Sequence, residues 1–339
     1  MMKTGVLLVN LGTPNSPSTS DVKAYLTEFL NDPFVIDFSY LKRYFLVNFI
    51  IVPFRSPKTA ALYKEIWTDK GSPLKFNSYE TCYKLQESLG DEFRVELAMR
   101  YQQPSVQSAL KKLIDSKVDH ILCIPLYPQY TASASESSLQ KVQSEYDKHK
   151  NPPPIQYIKQ FYQHPGFIAS WVERARAANI DNYDHVLFSY HGLPERHLEK
   201  HHGSGNCKDF HCTEEVNESN RHCYRATCYD TTRKIAHELN LPEKNYTISF
   251  QSRLGKDPWL RPYTDHELIR LAQSGVKKIL VFSPSFVADC LETLYEISIE
   301  YNALFQEHGG EQVQLIESLN GHPRWIATLK DIIEQNVKA

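Results

Sequence analysis

HVLFSYHGLP, residues 185–194, is the stretch from which the rest of the chain can be read. Six strand-forming, largely apolar residues run directly into His191, and Gly192-Leu193-Pro194 then forces a sharp exit. A short continuous apolar run of this kind suits a strand buried on both faces. Similar runs recur at 5–10, 94–99, 120–124, 156–159, 246–250, 278–283 and 312–317, separated by amphipathic, helix-like segments. That alternation produces parallel sheets covered by helices on both sides. Four runs fall in each half, and the break lies near 163–168, where an HPG turn follows an NPPP stretch. The expected fold class is therefore α/β: two Rossmann-like lobes, 1–165 and 166–339, each a four-stranded parallel sheet flanked by helices.

Bulk properties narrow the function. A chain of 339 residues with 41% hydrophobic side chains buries an enzyme-sized core. Its formal charge of −2 and lack of a long Lys/Arg run argue against nucleic acid as a partner. Seven cysteines are too few for a secreted disulfide scaffold, and the N-terminus opens into a strand-like run, so a reducing, cytoplasmic setting is expected. No stretch reaches the ~20 apolar residues needed to cross a bilayer. Residues 44–54, YFLVNFIIVPF, are strongly apolar and flanked by Lys42, Arg43, Arg55 and Lys58. They suit an interfacial patch making peripheral membrane contact, an apolar lid over a pocket, or an ordinary core helix. Phosphate-cradling G-x-G-x-x-G and G-x-x-x-x-G-K motifs are absent, which demotes nucleotide chemistry.

Open parallel sheets bind ligands beyond the carboxyl ends of their strands. The residues there are Leu11-Gly12-Thr13-Pro14, Arg100-Tyr101, the 125–133 segment containing Tyr127 and Tyr130, His191, the 251–260 segment containing Trp259, and Phe286 with Asp289. This aromatic and polar rim suits a flat, mostly apolar ligand. At a strand end facing the crevice, His191 can accept a proton or ligate a metal; capping the strand end is the alternative. Asp289, Glu292, Glu296 and Glu300 are spaced three, four and four apart, one stripe of a helix, with no lysine or arginine among residues 289–300. A repelling acidic ladder on an apolar helix is most simply a path for a cation or protons, and carboxylates hold ferrous iron weakly enough to pass it on. Arg100 and Tyr101 suit either a substrate carboxylate or an internal ion pair, and Trp259 either a pocket wall or core filling.

The motifs GVLLVNLGTP (5–14), KGSP (70–73), MRY (99–101), YPQYTASAS (127–135), SYHGLPE (189–195), SRLGKDPWL (252–260) and SFVADCLETLYE (285–296) occur in an order that resembles ferrochelatase, the family that inserts ferrous iron into a porphyrin to form haem. The resemblance covers nearly the whole chain. It implies a catalytic His191 with Glu292 across the porphyrin, both meeting the substrate iron, and Asp289, Glu296 and Glu300 as a metal or proton path behind them. Porphyrin contacts would fall on Leu11, Tyr63, Ser72, Arg100, Tyr101, Tyr130, Trp259 and Phe286. Cys290 stands where some relatives carry a second histidine. Two pyrrole protons must leave as the metal enters, so such a site needs proton acceptors and metal ligands.

Residues 201–229 form a hydrophilic insertion with Cys207, Cys212, Cys223 and Cys228, two pairs with four intervening residues each and ten between them. That spacing suits one tetrathiolate metal site, for which structural zinc is the commoner occupant. The family resemblance instead implies a [2Fe–2S] cluster, since some bacterial members carry one in an internal segment here. His197, His201, His202, His211 and His222 suit either a metal-scavenging loop or, more simply, solvated loop histidines, while Cys82 and Cys123 read as core fillers. The expected activity is iron insertion into protoporphyrin IX, with coproporphyrin as the near alternative and a non-catalytic haem or metal carrier as the distant one. Only Arg100 is placed to meet extra porphyrin carboxylates, which favours protoporphyrin.

Overall fold

The computed structural model describes residues 3–203, 206–253, 255 and 257–337; Leu254 and Lys256 of the 252–260 motif, and the His201 side chain, lie outside the described residues. Strands β1 (Thr4–Gly12), β2 (Phe93–Tyr101), β3 (His120–Pro125) and β4 (Ile155–Tyr157) pair in the order β2-β1-β3-β4. Strands β5 (His185–His191), β6 (Tyr246–Gln251), β7 (Lys278–Phe282) and β8 (Gln312–Leu315) pair in the order β6-β5-β7-β8. Every pairing is parallel. The α/β architecture of two helix-flanked parallel sheets read from the sequence is the one the chain adopts, with the same strand order in both.

Burial explains why the runs were legible. Val6, Leu7, Leu8 and Val9 of β1 are all inaccessible to solvent, so both faces of that strand are covered. Leu7, Val9, Ala98, Leu110, Ile121 and Val142 pack into one cluster beside the first sheet. In the second sheet Leu187, Ile279 and Val281 pack with Ile297 and Phe305. Each fully buried aliphatic side chain contributes about 1.5–3 kcal/mol relative to exposure.

The chain divides into two compact units, and the division differs from the expected boundary at 165/166. The first unit comprises Met1–Tyr127, Ala132–Gln160 and Asn320–Ala339, the second Pro128–Thr131 and Phe161–Leu319. The last helix, Pro323–Val337, therefore returns to the first unit, where it packs beside the helix Pro73–Leu89. Its Trp325, Leu329 and Ile333 are fully buried. Thr81 Oγ1 donates to the Asn320 carbonyl at 2.9 Å, Lys84 Nζ to Gly321 O at 2.9 Å and Lys330 Nζ to Ser88 O at 2.7 Å. Residues 128–131 join the second unit because the Pro128 carbonyl accepts the amides of Phe161 and Tyr162, and Gln129 Nε2 donates to Thr231 Oγ1.

The apolar 44–54 segment lies within consecutive helical stretches, Tyr40–Phe45, Leu46–Ile51 and Val52–Ile66, the middle one π-helical. It is not an ordinary core helix. Tyr44, Phe45, Phe49, Ile50 and Phe54 are exposed, Phe54 to 75%, while Arg43 turns inward and donates to the Phe38 carbonyl.

Candidate active site and metal-ligating group

His191 is the last residue of β5, paired with Gln251 at the end of β6. The exit after it is held by a second segment: Gly192 N donates to Gln251 O at 2.8 Å, Leu260 N to Leu193 O at 2.9 Å, and Glu195 N to Pro258 O at 2.9 Å. A Cβ on Gly192 would stand 2.7 Å from Gln251 O and 3.1 Å from the Trp259 ring, so only glycine lets the two segments meet. This pairing brings Trp259 to 6.4 Å from the His191 ring, centroid to centroid, and Phe286 stands 6.2 Å from it. His191 Nδ1 lies 2.6 Å from Gly192 O. A carbonyl only accepts, so Nδ1 carries the hydrogen, and in the neutral ring Nε2 is the acceptor. The backbone of His191 is held as well: its N–H donates to Ser285 Oγ at 3.3 Å, and its carbonyl accepts from Tyr224 Oη–H at 2.9 Å.

The acidic helix differs from the even four-residue stripe expected. Residues Glu292–Tyr301 are π-helical, and Asp289 precedes the helix rather than lying on it. Asp289 is buried, and its Oδ1 accepts from Thr293 Oγ1 at 3.1 Å and from the Ser318 amide at 3.3 Å, a local anchoring role. The wider i→i+5 turn suits residues spaced by four: Thr293, Ile297 and Tyr301 form the buried row, with Glu292, Glu296 and Glu300 alongside. Glu296 is fully engaged. Its Oε1 accepts from Ser252 N at 2.8 Å and Tyr301 Oη at 2.7 Å; its Oε2 accepts from Ser252 Oγ at 2.5 Å and Gln251 Nε2 at 3.2 Å.

Gln251 also donates to the Glu292 carbonyl at 2.9 Å and accepts from Ser189 Oγ at 2.7 Å, joining β5, β6 and the acidic helix. The sequence puts Gln251 and Ser252 on the rim but carries no mark of their role; the turn there, with Ser252 at φ +64°, appears only in the fold. Glu300 is exposed, yet desolvation, then the nearby Glu296 and Asp265 carboxylates, push its carboxyl above the usual range. A cleft of about 330 Å³ opens beside this row, lined by Gln251, Ser252, Asp265, Glu296, Glu300 and Tyr301. Burial raises the Cys290 thiol well above its ordinary value. A larger hollow of about 510 Å³ beside Asp184, Lys277 and Glu311 lies at the amino ends of the strands, the wrong end for a ligand of such a sheet.

In the insertion, the structure gathers His202, Cys207, Cys212 and Cys223, whose ligand atoms all lie within 4.8 Å of one another. Cys207 Sγ and Cys223 Sγ are 3.7 Å apart, and Cys212 Sγ and His202 Nε2 are 3.4 Å apart. Contacts with the Cys207 and Cys212 thiols hold Cys223 well below the usual thiol range. Cys228 is not in this group. It is fully buried one turn into the helix Tyr224–Glu238, beside the Tyr224 hydroxyl. Cys228, the fourth cysteine expected for a [2Fe–2S] cluster, lies outside this compact group: Cys223 is the N-cap of the helix, and Cys228 follows one turn into it. Of the two readings for the loop histidines, solvated or metal-scavenging, His202 is buried within the cysteine group, whereas His211 is exposed and pairs with Glu214 at 3.1 Å. Tyr130 sits in this same unit, edge-on to His222 with ring centroids 5.8 Å apart.

In the first unit Arg100 and Tyr101 make an internal pairing with Asp32. Arg100 Nη2 lies 2.5 Å from the buried Asp32 carboxylate, and its Nε donates to Ser137 Oγ at 2.7 Å. Tyr101 Oη and Ser137 Oγ also donate to Asp32, at 2.8 and 2.5 Å. Gly12 pairs with Tyr101 at φ +110°, where a Cβ would stand 2.0 Å from Tyr101 O, which accounts for the glycine of the LGTP motif. Ser72 is buried and bonds Thr13 Oγ1 at 2.7 Å; Leu11 is half-buried, and Tyr63 is buried edge-on to Trp67.

The model of the family described as Ferrochelatase matches residues 3–337. A ferrochelatase of Legionella pneumophila (strain Paris) is 46% identical over 337 residues, covering 99% of this chain and all of that protein. A ferrochelatase of Coxiella burnetii (strain Dugway 5J108-111) is 43% identical, covering 99% of this chain and 94% of that one. Among solved structures, the sirohydrochlorin chelatase SirB of Bacillus subtilis subspecies spizizenii in complex with cobalt aligns with a TM-score of 0.54 at 10% identity, covering 98% of this chain and 95% of that one. That likeness is one of fold.

Proposed function

The chain belongs to the ferrochelatase family, and from that premise we propose that it inserts ferrous iron into protoporphyrin IX, as a lyase forming protohaem. The observation that carries the reading is the His191 imidazole beside Trp259 and Phe286, whose Nδ1–H bond to Gly192 O leaves Nε2 as the acceptor of the neutral ring. Two pyrrole protons leave as the metal enters, and Nε2 is the group suited to take the first. Glu292 serves as its partner carboxylate, and Glu300, whose carboxyl is already pushed upward, takes protons onward into the cleft. Glu296 and Asp289 anchor the helix, each tied by hydrogen bonds to neighbouring segments. Trp259, Phe286 and Tyr130, with Leu11, Tyr63 and Ser72, are the proposed porphyrin contacts, while Arg100 and Tyr101 support the strand end through Asp32. Arg100 being engaged with Asp32 favours the porphyrin with fewer carboxylates.

We also assign the protein to the cytoplasm with peripheral contact to the inner membrane, supported by the exposed apolar side chains of residues 44–54. Among the described residues no helix is long and apolar enough to cross a membrane.

The test is anaerobic incubation of the purified protein with ferrous iron and protoporphyrin IX, following loss of free-base fluorescence. Protein-dependent loss is expected, with His191→Ala slower by about 10²–10⁴ while folding is retained by circular dichroism. Turnover of coproporphyrin alone would replace the substrate. No turnover of either porphyrin would sink the enzyme reading.

A further inference from the structure

We propose that His202, Cys207, Cys212 and Cys223 together hold a single zinc-type divalent ion in a tetrahedral site, and that Cys228 is not a ligand. The distances carry this. A tetrahedral ion with bonds of about 2.3 Å to sulfur and about 2.05 Å to nitrogen spaces its sulfurs ~3.8 Å apart and its sulfur–nitrogen pairs ~3.6 Å apart. The observed separations are 3.7 Å between Cys207 Sγ and Cys223 Sγ and 3.4 Å between Cys212 Sγ and His202 Nε2. A two-iron cluster divides its ligands between two metals, so ligands on opposite irons stand farther apart than the edge of one tetrahedron. Here all four donors fit within 4.8 Å.

The donors are also organised for the purpose. The His202 ring stacks on Phe210 with centroids 4.3 Å apart and 13° between planes, which fixes the direction of Nε2. Asn220, fully buried, donates to the carbonyls of Phe210 and Glu215 at 2.9 Å each, and Cys223 N donates to Asn220 O at 2.7 Å. These bonds close the loop around the group. In the sequence, His202, Cys207 and Cys212 follow one another at equal intervals of five, a regularity the four-cysteine pattern obscures.

The site has a mechanical consequence. Cys223 caps the helix Tyr224–Glu238, and the next residue, Tyr224, is the one that donates to the His191 carbonyl. An ion joining Cys223 to the loop thereby steadies the end of β5.

Metal content tests the assignment without reference to iron insertion. The full chain, isolated from cells supplied with zinc and iron, is expected to contain one zinc per chain and no acid-labile sulfide. His202→Ala and Cys212→Ser are expected to lose the metal, Cys228→Ser to keep it, and His202→Cys to restore it. Cobalt(II) substitution should give tetrahedral d–d bands with thiolate charge transfer. Two irons and two sulfides per chain would overturn the proposal. So would loss of metal in a folded Cys228→Ser protein that His202→Ala retains. Should His202→Ala fail to fold, the wild-type stoichiometry and Cys228→Ser still decide.

Discussion

At the scale of single residues, what each polar group does depends on which neighbour reaches it first. Asp32 shows this: one buried carboxylate accepts from Arg100, Tyr101 and Ser137, so two motif residues that suited a substrate carboxylate are held inside the first unit. Removing one member of a buried charged pair leaves the other uncompensated, which costs about 3–5 kcal/mol. Asp32→Ala should lower the urea midpoint by that equivalent, whereas Asp32→Asn, able to keep some of the hydrogen bonds, should lower it less. Equal midpoints for wild type and Asp32→Ala would rule out this account of Arg100. His191 was legible in the sequence, because a histidine at the end of an apolar strand before Gly-Leu-Pro has few places to point. Its tautomer was not, since that is set by the distance to one carbonyl.

At the scale of elements, the acidic helix keeps its carboxylate row by departing from α-helical geometry. Three glutamates at intervals of four and a buried row at the same interval fit the wider π-helical turn. Within that row, Glu296 is fixed by four hydrogen bonds and Glu300 is left with a destabilised charge. A raised carboxyl favours folding when protonated, so Glu300 stabilises the fold below its ordinary value of 4.5, and that contribution is lost as pH rises through the raised value. Glu300→Gln should therefore melt slightly higher than wild type at neutral pH, by about 1 °C given solvent screening, with the gain vanishing in acid. A difference that persisted below pH ~4 would contradict this. The charge ladder could be read from spacing; the assignment of anchor and acceptor within it could not, because Ser252, Gln251 and Tyr301 come from different segments.

At the scale of the whole molecule, two sheets of identical strand order share one plan. The first unit includes both chain ends, with Trp325 and Leu329 buried in the final helix. The exposed Tyr44, Phe45, Phe49, Ile50 and Phe54 are an apolar group flanked by the cations Lys42, Arg55 and Lys58. Such a surface partitions into a headgroup region, helped by anionic lipid. Vesicles containing phosphatidylglycerol should sediment the protein at low salt, and Phe45→Ser with Phe49→Ser should weaken that binding at least tenfold without altering the melting temperature. Binding unchanged by the double substitution would remove the patch from consideration.

The sequence by itself determined the eight strands, the division into two sheets, the place of His191 and the existence of the acidic row. Burial on both faces produces continuous apolar runs, and strand ends are marked by the turn residues after them. Tertiary structure alone decided that His202 rather than Cys228 joins the three cysteines, that Asp32 takes Arg100, that Glu296 is tied down, and that the last helix returns to the first unit. Each of these depends on which atoms lie within a few ångströms across distant segments or around a helical turn, and no local period in the sequence specifies that.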